Sequence, residues 1–204
     1  MNQHFNTIID GLSQNGLAVV DHFLPPVTYQ ALIQEALSYY HNNAMRRAGI
    51  GQKQAYTIDT SIRRDAIAWL DYDTASQCVQ IYFDTIMALR KWMNQTLFLN
   101  LHDYEAHFAV FEPGGFFQAH RDQFKQSDLR QISCVYFLNQ DWQQQHAGEL
   151  VVHLEDHHQQ VIQPLGNRFV CFQSHLLHQV NPTSQLRLSM TGWMKKFGVP
   201  LLDI

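Results

Sequence analysis

Several things are scarce in this chain of 204 residues. Only three cysteines occur, Cys78, Cys134 and Cys171, an odd number set among apolar neighbours. That argues against a disulfide framework and fits buried, reduced thiols. Basic residues are outnumbered, 14 Lys and Arg against 18 Asp and Glu, for a formal net charge of −4. Such a balance offers no general attraction for phosphate backbones or anionic membranes, and no basic arm is present, so nucleic acid is not an expected partner. No apolar run approaches the roughly 18 residues a membrane helix needs. The opening MNQHFNTIIDGLSQNG has neither the charged start nor the apolar stretch of a secretory leader. A cytoplasmic protein without a membrane partner is therefore expected. Linkers rich in Gly, Ser or Pro, internal repeats and low-complexity tracts are all missing. With 46% hydrophobic residues and enough length for a proper core, one domain over 1–204 is the economical reading. Histidine alone is abundant, at twelve, which favours metal chemistry and also multiplies chance spacings.

The pattern changes near residue 100. Before it, 3–14 reads as a short helix, 17–23 as a strand, and 27–40 as an amphipathic helix after Pro25-Pro26. The stretch 42–61 is broken and polar, a mobile loop or hairpin, and 62–70 resumes as a strand. The longest helix should start at an N-cap Thr74 and run to about Leu97, with Cys78, Ile81, Tyr82, Ile86, Leu89 and Trp92 packing into the core. After residue 100 short strands follow at 104–111, 132–138, 149–154, 161–162, 169–172 and 186–194. Helices first and many strands afterwards give a sheet sandwich with helices covering one outer face, 1–100 as support and substrate loop and 101–197 as the strand core.

Phe116-Phe117-Gln118-Ala119-His120-Arg121-Asp122 carries the chemistry. On an extended backbone, His120 and Asp122 point to the same side and can grip one ion. Two His and one carboxylate on one face of iron(II) leave positions open for substrate and dioxygen. His178, between two strands, is the candidate third ligand, with His175 as its substitute. A competing His153-Leu154-Glu155 adjoins the polar run Asp156-His157-His158-Gln159-Gln160 and reads as a solvated hairpin tip. Arg187 lies nine positions after His178 in Gln185-Leu186-Arg187-Leu188-Ser189-Met190-Thr191-Gly192-Trp193. Alternation sets Arg187, Ser189, Thr191 and Trp193 on one face and Leu186, Leu188 and Met190 on the other. A buried guanidinium requires an anion, and its fork matches a carboxylate.

These residues resemble the iron(II)- and 2-oxoglutarate-dependent dioxygenases of the prolyl 4-hydroxylase group, above all the hypoxia-type prolyl hydroxylases and their bacterial relatives. The likeness runs through Asn15 to Leu24, Ile62-Arg63-Arg64-Asp65-Ala66-Ile67-Ala68-Trp69, Phe111-Glu112-Pro113-Gly114-Gly115-Phe116, Arg130 to Trp142, and the His178 to Arg187 spacing. It implies a double-stranded β-helix, or jelly roll, flanked by helices on one face (α+β overall). It implies Fe(II) held by His120, Asp122 and His178, and 2-oxoglutarate chelating it while Arg187, assisted by Thr191, holds the far carboxylate. Dioxygen is consumed, succinate and carbon dioxide are released, and ascorbate can serve as a further reductant. Retention of Asp122 fits hydroxylation rather than halogenation. Two positions depart from the pattern. Phe137 stands where Tyr-Leu-Asn usually begins, and Phe111 opens a turn that often begins with Tyr. Tyr136 supplies a co-substrate contact only if a bulge shifts the strand register.

The resemblance further implies a prolyl residue in a protein or peptide as substrate, framed by the 42–61 loop with Arg63, Asp65, Arg130 and Trp193. Arg63 and Asp65 can equally pair with each other and pin that loop. The alternative is a small molecule or free amino acid oxidised by the same chemistry. Demethylation of nucleic-acid bases is disfavoured by charge and by the lack of a second Arg soon after Arg187.

Overall fold

The computed structural model describes residues 2–49, 57–123, 127–155 and 158–197. Helices α1 (Asn2–Asn15) and α2 (Pro26–His41) flank strand β1 (Leu17–Val20). Proline in the first turn of α2 loses no hydrogen bond that a helix would have made there. The long helix α3 (Gln77–Leu97) is capped by Ser76, not by Thr74, and stops at Phe98 in a left-handed conformation, φ 54°. Its buried stripe is Val79, Tyr82, Phe83, Ile86, Leu89 and Met93. Tyr82, Ile86 and Leu89 are buried as expected and Cys78 and Trp92 pack partly buried against the core, but Ile81 faces solvent and Val79, Phe83 and Met93 face in.

Strand β2 (Arg46–Arg47) pairs antiparallel with β3 (Ala66–Leu70). The stretch 42–61 thus contributes one arm of a hairpin, while its residues 50–56 lie outside those described. Order resumes as strand only at Ala66. Residues 62–65 form a turn and a lone bridge, Arg63 to Phe117. The remaining strands are β4 (Leu101–Phe111), β5 (Phe117–His120), β6 (Arg130–Phe137), β7 (Leu150–His153), β8 (Gln159–Ile162), β9 (Phe169–Gln173), β10 (His178–Val180) and β11 (Arg187–Lys196).

They form two antiparallel sheets. The larger has the order β1-β9-β6-β11-β4-β3-β2 and the smaller β5-β10-β7-β8. Together they make the jelly roll that the resemblance implied. Alternation divides every central strand between two layers. Phe108 and Val110 of β4, Cys134 and Tyr136 of β6, Phe169 and Cys171 of β9, and Leu188, Met190 and Met194 of β11 pack against the helices. The opposite faces of β6 and β9 send Val135, Phe137, Val170 and Phe172 toward Leu150, Val152 and Ile162 of the smaller sheet. This division fixes the register of β11. A slip by one residue would drive the Arg187 guanidinium among leucines and methionines, and an unpaired charge buried there costs far more than any single strand contact.

Candidate metal centre

Between the sheets lies a cavity of about 940 Å³. At its smaller-sheet side, β5 and β10 pair so that His120 and His178 are direct cross-strand partners. Their rings are 4.2 Å apart between centroids. Asp122 follows β5 where the chain bends, its N–H donating to Ser174 O at 3.1 Å. Its Oδ1 is 3.6 Å from His120 Nε2 and its Oδ2 is 3.4 Å from His178 Nε2. One donor atom from each of the three residues lies within 4.8 Å of the others. The turn before β5 is possible because of Gly115, where a Cβ would stand 2.7 Å from Glu112 O and 2.8 Å from Arg64 O.

Both imidazoles are oriented. His120 Nδ1 meets Gln118 O at 2.8 Å and His178 Nδ1 meets Leu176 O at 3.0 Å. A carbonyl only accepts, so each Nδ1 carries a hydrogen, and each Nε2 is turned toward Asp122, the atom through which the ring would bind a metal. Burial alone would raise the Asp122 carboxyl, but His178 and His120 outweigh it and hold it well below the usual carboxylate range. Burial, then the neighbouring His178, pulls the His120 imidazole down. Against the cost of burial, Asp122 in turn raises the His178 imidazole. An ionised carboxylate beside two imidazole nitrogens, which give up any proton as a metal binds, is a donor set for a divalent transition metal with open positions. His175 is not part of it. It pairs with exposed Glu155 at 3.1 Å in the preceding turn. His153 ends β7 and contacts Gln159 of β8, outside this cluster, and residues 156–157 of its polar run lie outside those described.

On the larger-sheet side, Arg187, Thr191 and Trp193 of β11 line the same cavity. Arg187 is only 1% exposed. Its Nε donates to Gly148 O at 2.8 Å, and its Cζ sits 5.0 Å from the ring centroids of both Phe111 and Phe137. Gly148 has φ +72°, and a Cβ there would stand 3.2 Å from Arg187 Cδ. Burial lowers the guanidinium to about 10, with Asp65 and Glu149 acting against it from a distance, so it stays charged at neutral pH. Among the described residues no carboxylate comes within ion-pair range of Arg187. Two residues along β11 the buried Ser189 Oγ, and much further along the strand Trp193 Nε1, have no hydrogen-bond partner among the described residues.

Tyr136 does not join them. No bulge interrupts β6 opposite β9, so Tyr136 faces the helices, stacked with Tyr82, and its hydroxyl donates to Asn167 Oδ1 at 2.8 Å. Phe137 takes the cavity side in its place. The expectation that Tyr136 touches the co-substrate fails for this reason of register.

Arg63, Asp65, Arg130 and Trp193 all border the cavity. Arg63 and Asp65 form a two-pronged pair, Nε to Oδ1 2.7 Å and Nη2 to Oδ2 2.5 Å, with Arg63 also lying 4.2 Å over the Phe117 ring. Arg130 bonds Glu105 at 2.8 Å and stacks 3.6 Å over Trp193. Sequence reading missed His107, the cross-strand neighbour of Thr191 and Trp69. It is 3% exposed and lines the cavity. Nδ1 meets Phe108 O at 3.1 Å, leaving Nε2 as an acceptor with no hydrogen-bond partner among the described residues. Burial lowers its pKa to about 4. The strand spanning 104–111 was legible, and its alternation puts His107 with Ala109 and Phe111. Among twelve histidines that was no distinguishing mark.

A jelly roll holding two imidazoles and a carboxylate opposite a buried, unpaired guanidinium defines a non-haem metal oxygenase that takes an anionic co-substrate. The model of the 2OG-Fe(II) oxygenase superfamily matches residues 106–195. A prolyl-4-hydroxylase of Pseudomonas putida superposes with a TM-score of 0.86 at 33% identity, over 95% of this chain and 100% of that one. Prolyl hydroxylase EGLN3 of Mus musculus is 23% identical over 193 residues, 91% of this chain and 81% of that protein. A Trichoplax adhaerens prolyl hydroxylase, solved with a peptide fragment of the hypoxia inducible factor oxygen degradation domain, has the same fold, TM-score 0.86 at 22% identity over 95% of this chain and 90% of that one. The chain belongs to the 2OG-Fe(II) oxygenase superfamily. Fe(II) is its metal and 2-oxoglutarate its co-substrate. Among the described residues no helix is long and apolar enough to cross a membrane.

Proposed function

We propose that this oxygenase hydroxylates a prolyl residue in a protein or peptide, with His120, Asp122 and His178 holding the iron. The convergence of those three side chains within 4.8 Å carries the reading. The bound iron supplies the activation of dioxygen that is coupled to conversion of 2-oxoglutarate into succinate and carbon dioxide. Arg187 holds the far carboxylate of the co-substrate in a two-pronged contact, with Thr191 beside it. Phe111 and Phe137 keep that end dry, which strengthens the ionic contact. Asp122, held well below the usual carboxylate range, stays charged and available at neutral pH.

The substrate end is bounded by Trp69, Trp193 and His107, with the Arg63–Asp65 and Arg130–Glu105 pairs at its rim. His107 stays neutral and offers Nε2 to an N–H or O–H donor, while the exposed Trp69 indole offers a flat face to a prolyl ring and Trp193 is covered by Arg130. The open rim suits an extended peptide, and the prolyl hydroxylases among its relatives favour the same choice. Chain 1–204 then works as one catalytic domain, supported by the core that α1–α3 share with β4, β6 and β11. A cytoplasmic setting agrees with its three free cysteines.

The test is succinate release with proline-containing peptides, free proline and oligonucleotides in parallel, with mass spectrometry for the added oxygen. Peptide-dependent turnover is expected. Turnover with the free amino acid alone would overturn the peptide assignment and leave the iron chemistry standing.

A further inference from the structure

We propose that Ser133 is a positioning residue that commits Asp122 to the metal through a single carboxylate oxygen, an inference resting on the metal assignment above. Ser133 lies on β6, is 1% exposed, and projects to the cavity side with Val135 and Phe137. Its hydroxyl donates to Asp122 Oδ2 at 2.7 Å. Its oxygen is also 2.9 Å from Ser174 Oγ, which is fully buried. A carboxylate only accepts, so the one hydrogen of Ser133 is spent on Asp122, and Ser174 must donate to Ser133. The chain of bonds therefore has a direction, Ser174 to Ser133 to Asp122.

The main chain reinforces it. Ser174 O accepts from the N–H of both Asp122 and Gln123 at 3.1 Å, and Ser174 N donates to Gln131 O at 2.9 Å. Backbone and side chain of the carboxylate ligand are thus clamped by one pair of serines, contributed by β6 and by the turn after β9. No other described element holds the Asp122 side chain except the two imidazoles.

This clamp has a consequence for the metal. Oδ2 carries the hydroxyl contact besides facing His178 Nε2 at 3.4 Å, whereas Oδ1 faces only His120 Nε2, so Oδ1 would be the oxygen offered to the ion and would fill one position. An unclamped carboxylate can rotate and chelate with both oxygens, taking a position that a two-toothed co-substrate needs. Hydrogen bonds to metal-ligating carboxylates commonly set affinity by about ten- to a hundredfold.

The experiment compares wild type with Ser133→Ala, Ser133→Thr and Ser174→Ala. Mn(II) affinity is measured by calorimetry, and the charge-transfer absorption of the anaerobic Fe(II) protein is followed against added 2-oxoglutarate. Ser133→Ala should bind Mn(II) about ten- to a hundredfold more weakly and need more 2-oxoglutarate to develop its band. Ser133→Thr, which keeps the hydroxyl, should restore both, and Ser174→Ala should fall between. An unchanged Mn(II) affinity in Ser133→Ala would overturn the proposal. So would a threonine variant as weak as alanine, since packing rather than the hydroxyl would then be at work. Asp122→Ala is the control for the metal site itself. If it binds Mn(II) like wild type, the ion is elsewhere and the assignment beneath this proposal fails first.

Discussion

Replacing Arg187 by alanine separates co-substrate binding from metal binding. The guanidinium is 1% exposed, flanked by two phenyl rings, and held by one hydrogen bond to Gly148 O. Breaking a buried charged pair by removing one partner costs about 3–5 kcal/mol. At about 1.4 kcal/mol per tenfold, that is a loss of roughly two to four orders of magnitude in 2-oxoglutarate affinity. The cavity opens to solvent, so water entering beside the orphaned carboxylate moves the expectation toward the lower figure, about a hundredfold. Arg187 is not one of the three clustered donors, so Mn(II) affinity should not change. Gly148 O loses its partner, at about 1–3 kcal/mol of stability. The assay is the anaerobic Fe(II) charge-transfer titration with 2-oxoglutarate, beside Mn(II) calorimetry. An unchanged 2-oxoglutarate affinity would show that the anion sits elsewhere, and a lost Mn(II) site would show that Arg187 supports the metal.

Three other outcomes follow from the same geometry. Phe137→Tyr points a hydroxyl toward the place where Arg187 would hold a carboxylate. A hydrogen bond to a charged group contributes about 1.5–3 kcal/mol, so 2-oxoglutarate should bind roughly ten- to a hundredfold more tightly, and no gain would place the carboxylate away from Phe137. His178→Ala should abolish metal-dependent succinate formation, whereas His175→Ala, altering a surface pair with Glu155, should leave it near wild type; the reverse pattern would exchange their roles. His107→Gln should flatten the fall of stability with acid. The folded pKa of His107 is about 4, below the unfolded value, so the unfolded chain takes up the proton first as pH falls. The stability gained from keeping it neutral is complete above about pH 6.5 and lost on the way down to about 4, on the order of 3 kcal/mol. Urea midpoints at pH 7 and pH 4.5 measure this, and equal slopes in wild type and variant would refute it.

Much of the architecture could be read in advance because it depends on period. Alternation along 186–194 separated Arg187, Thr191 and Trp193 from Leu188 and Met190, and the structure keeps that separation. The long helix was found with most of its inward stripe, but Ile81 was assigned to the core in place of Val79 and Phe83, since all three are equally apolar. Only the sheet beneath decides which side faces in. The cap moved from Thr74 to Ser76 for a similar reason, two hydroxyl residues standing within one turn. Strand β5 was read only through the alternation of His120 and Asp122, and β10 escaped notice because three residues cannot display a period, although it carries one of the clustered donors.

The amino-acid sequence by itself determined the chemistry. A His and an Asp two apart, a distant His, and an Arg on an alternating strand are residue types and spacings that survive without coordinates. Tertiary structure alone decided which groups meet. It turned Tyr136 into the helical core and Phe137 into the cavity, because an unbroken register allows one face per residue. It brought His107 to the wall and set Ser133 and Ser174 behind Asp122, since hydrogen-bond partners 11 and 41 residues apart are chosen by the packing of sheets and leave no trace in local pattern.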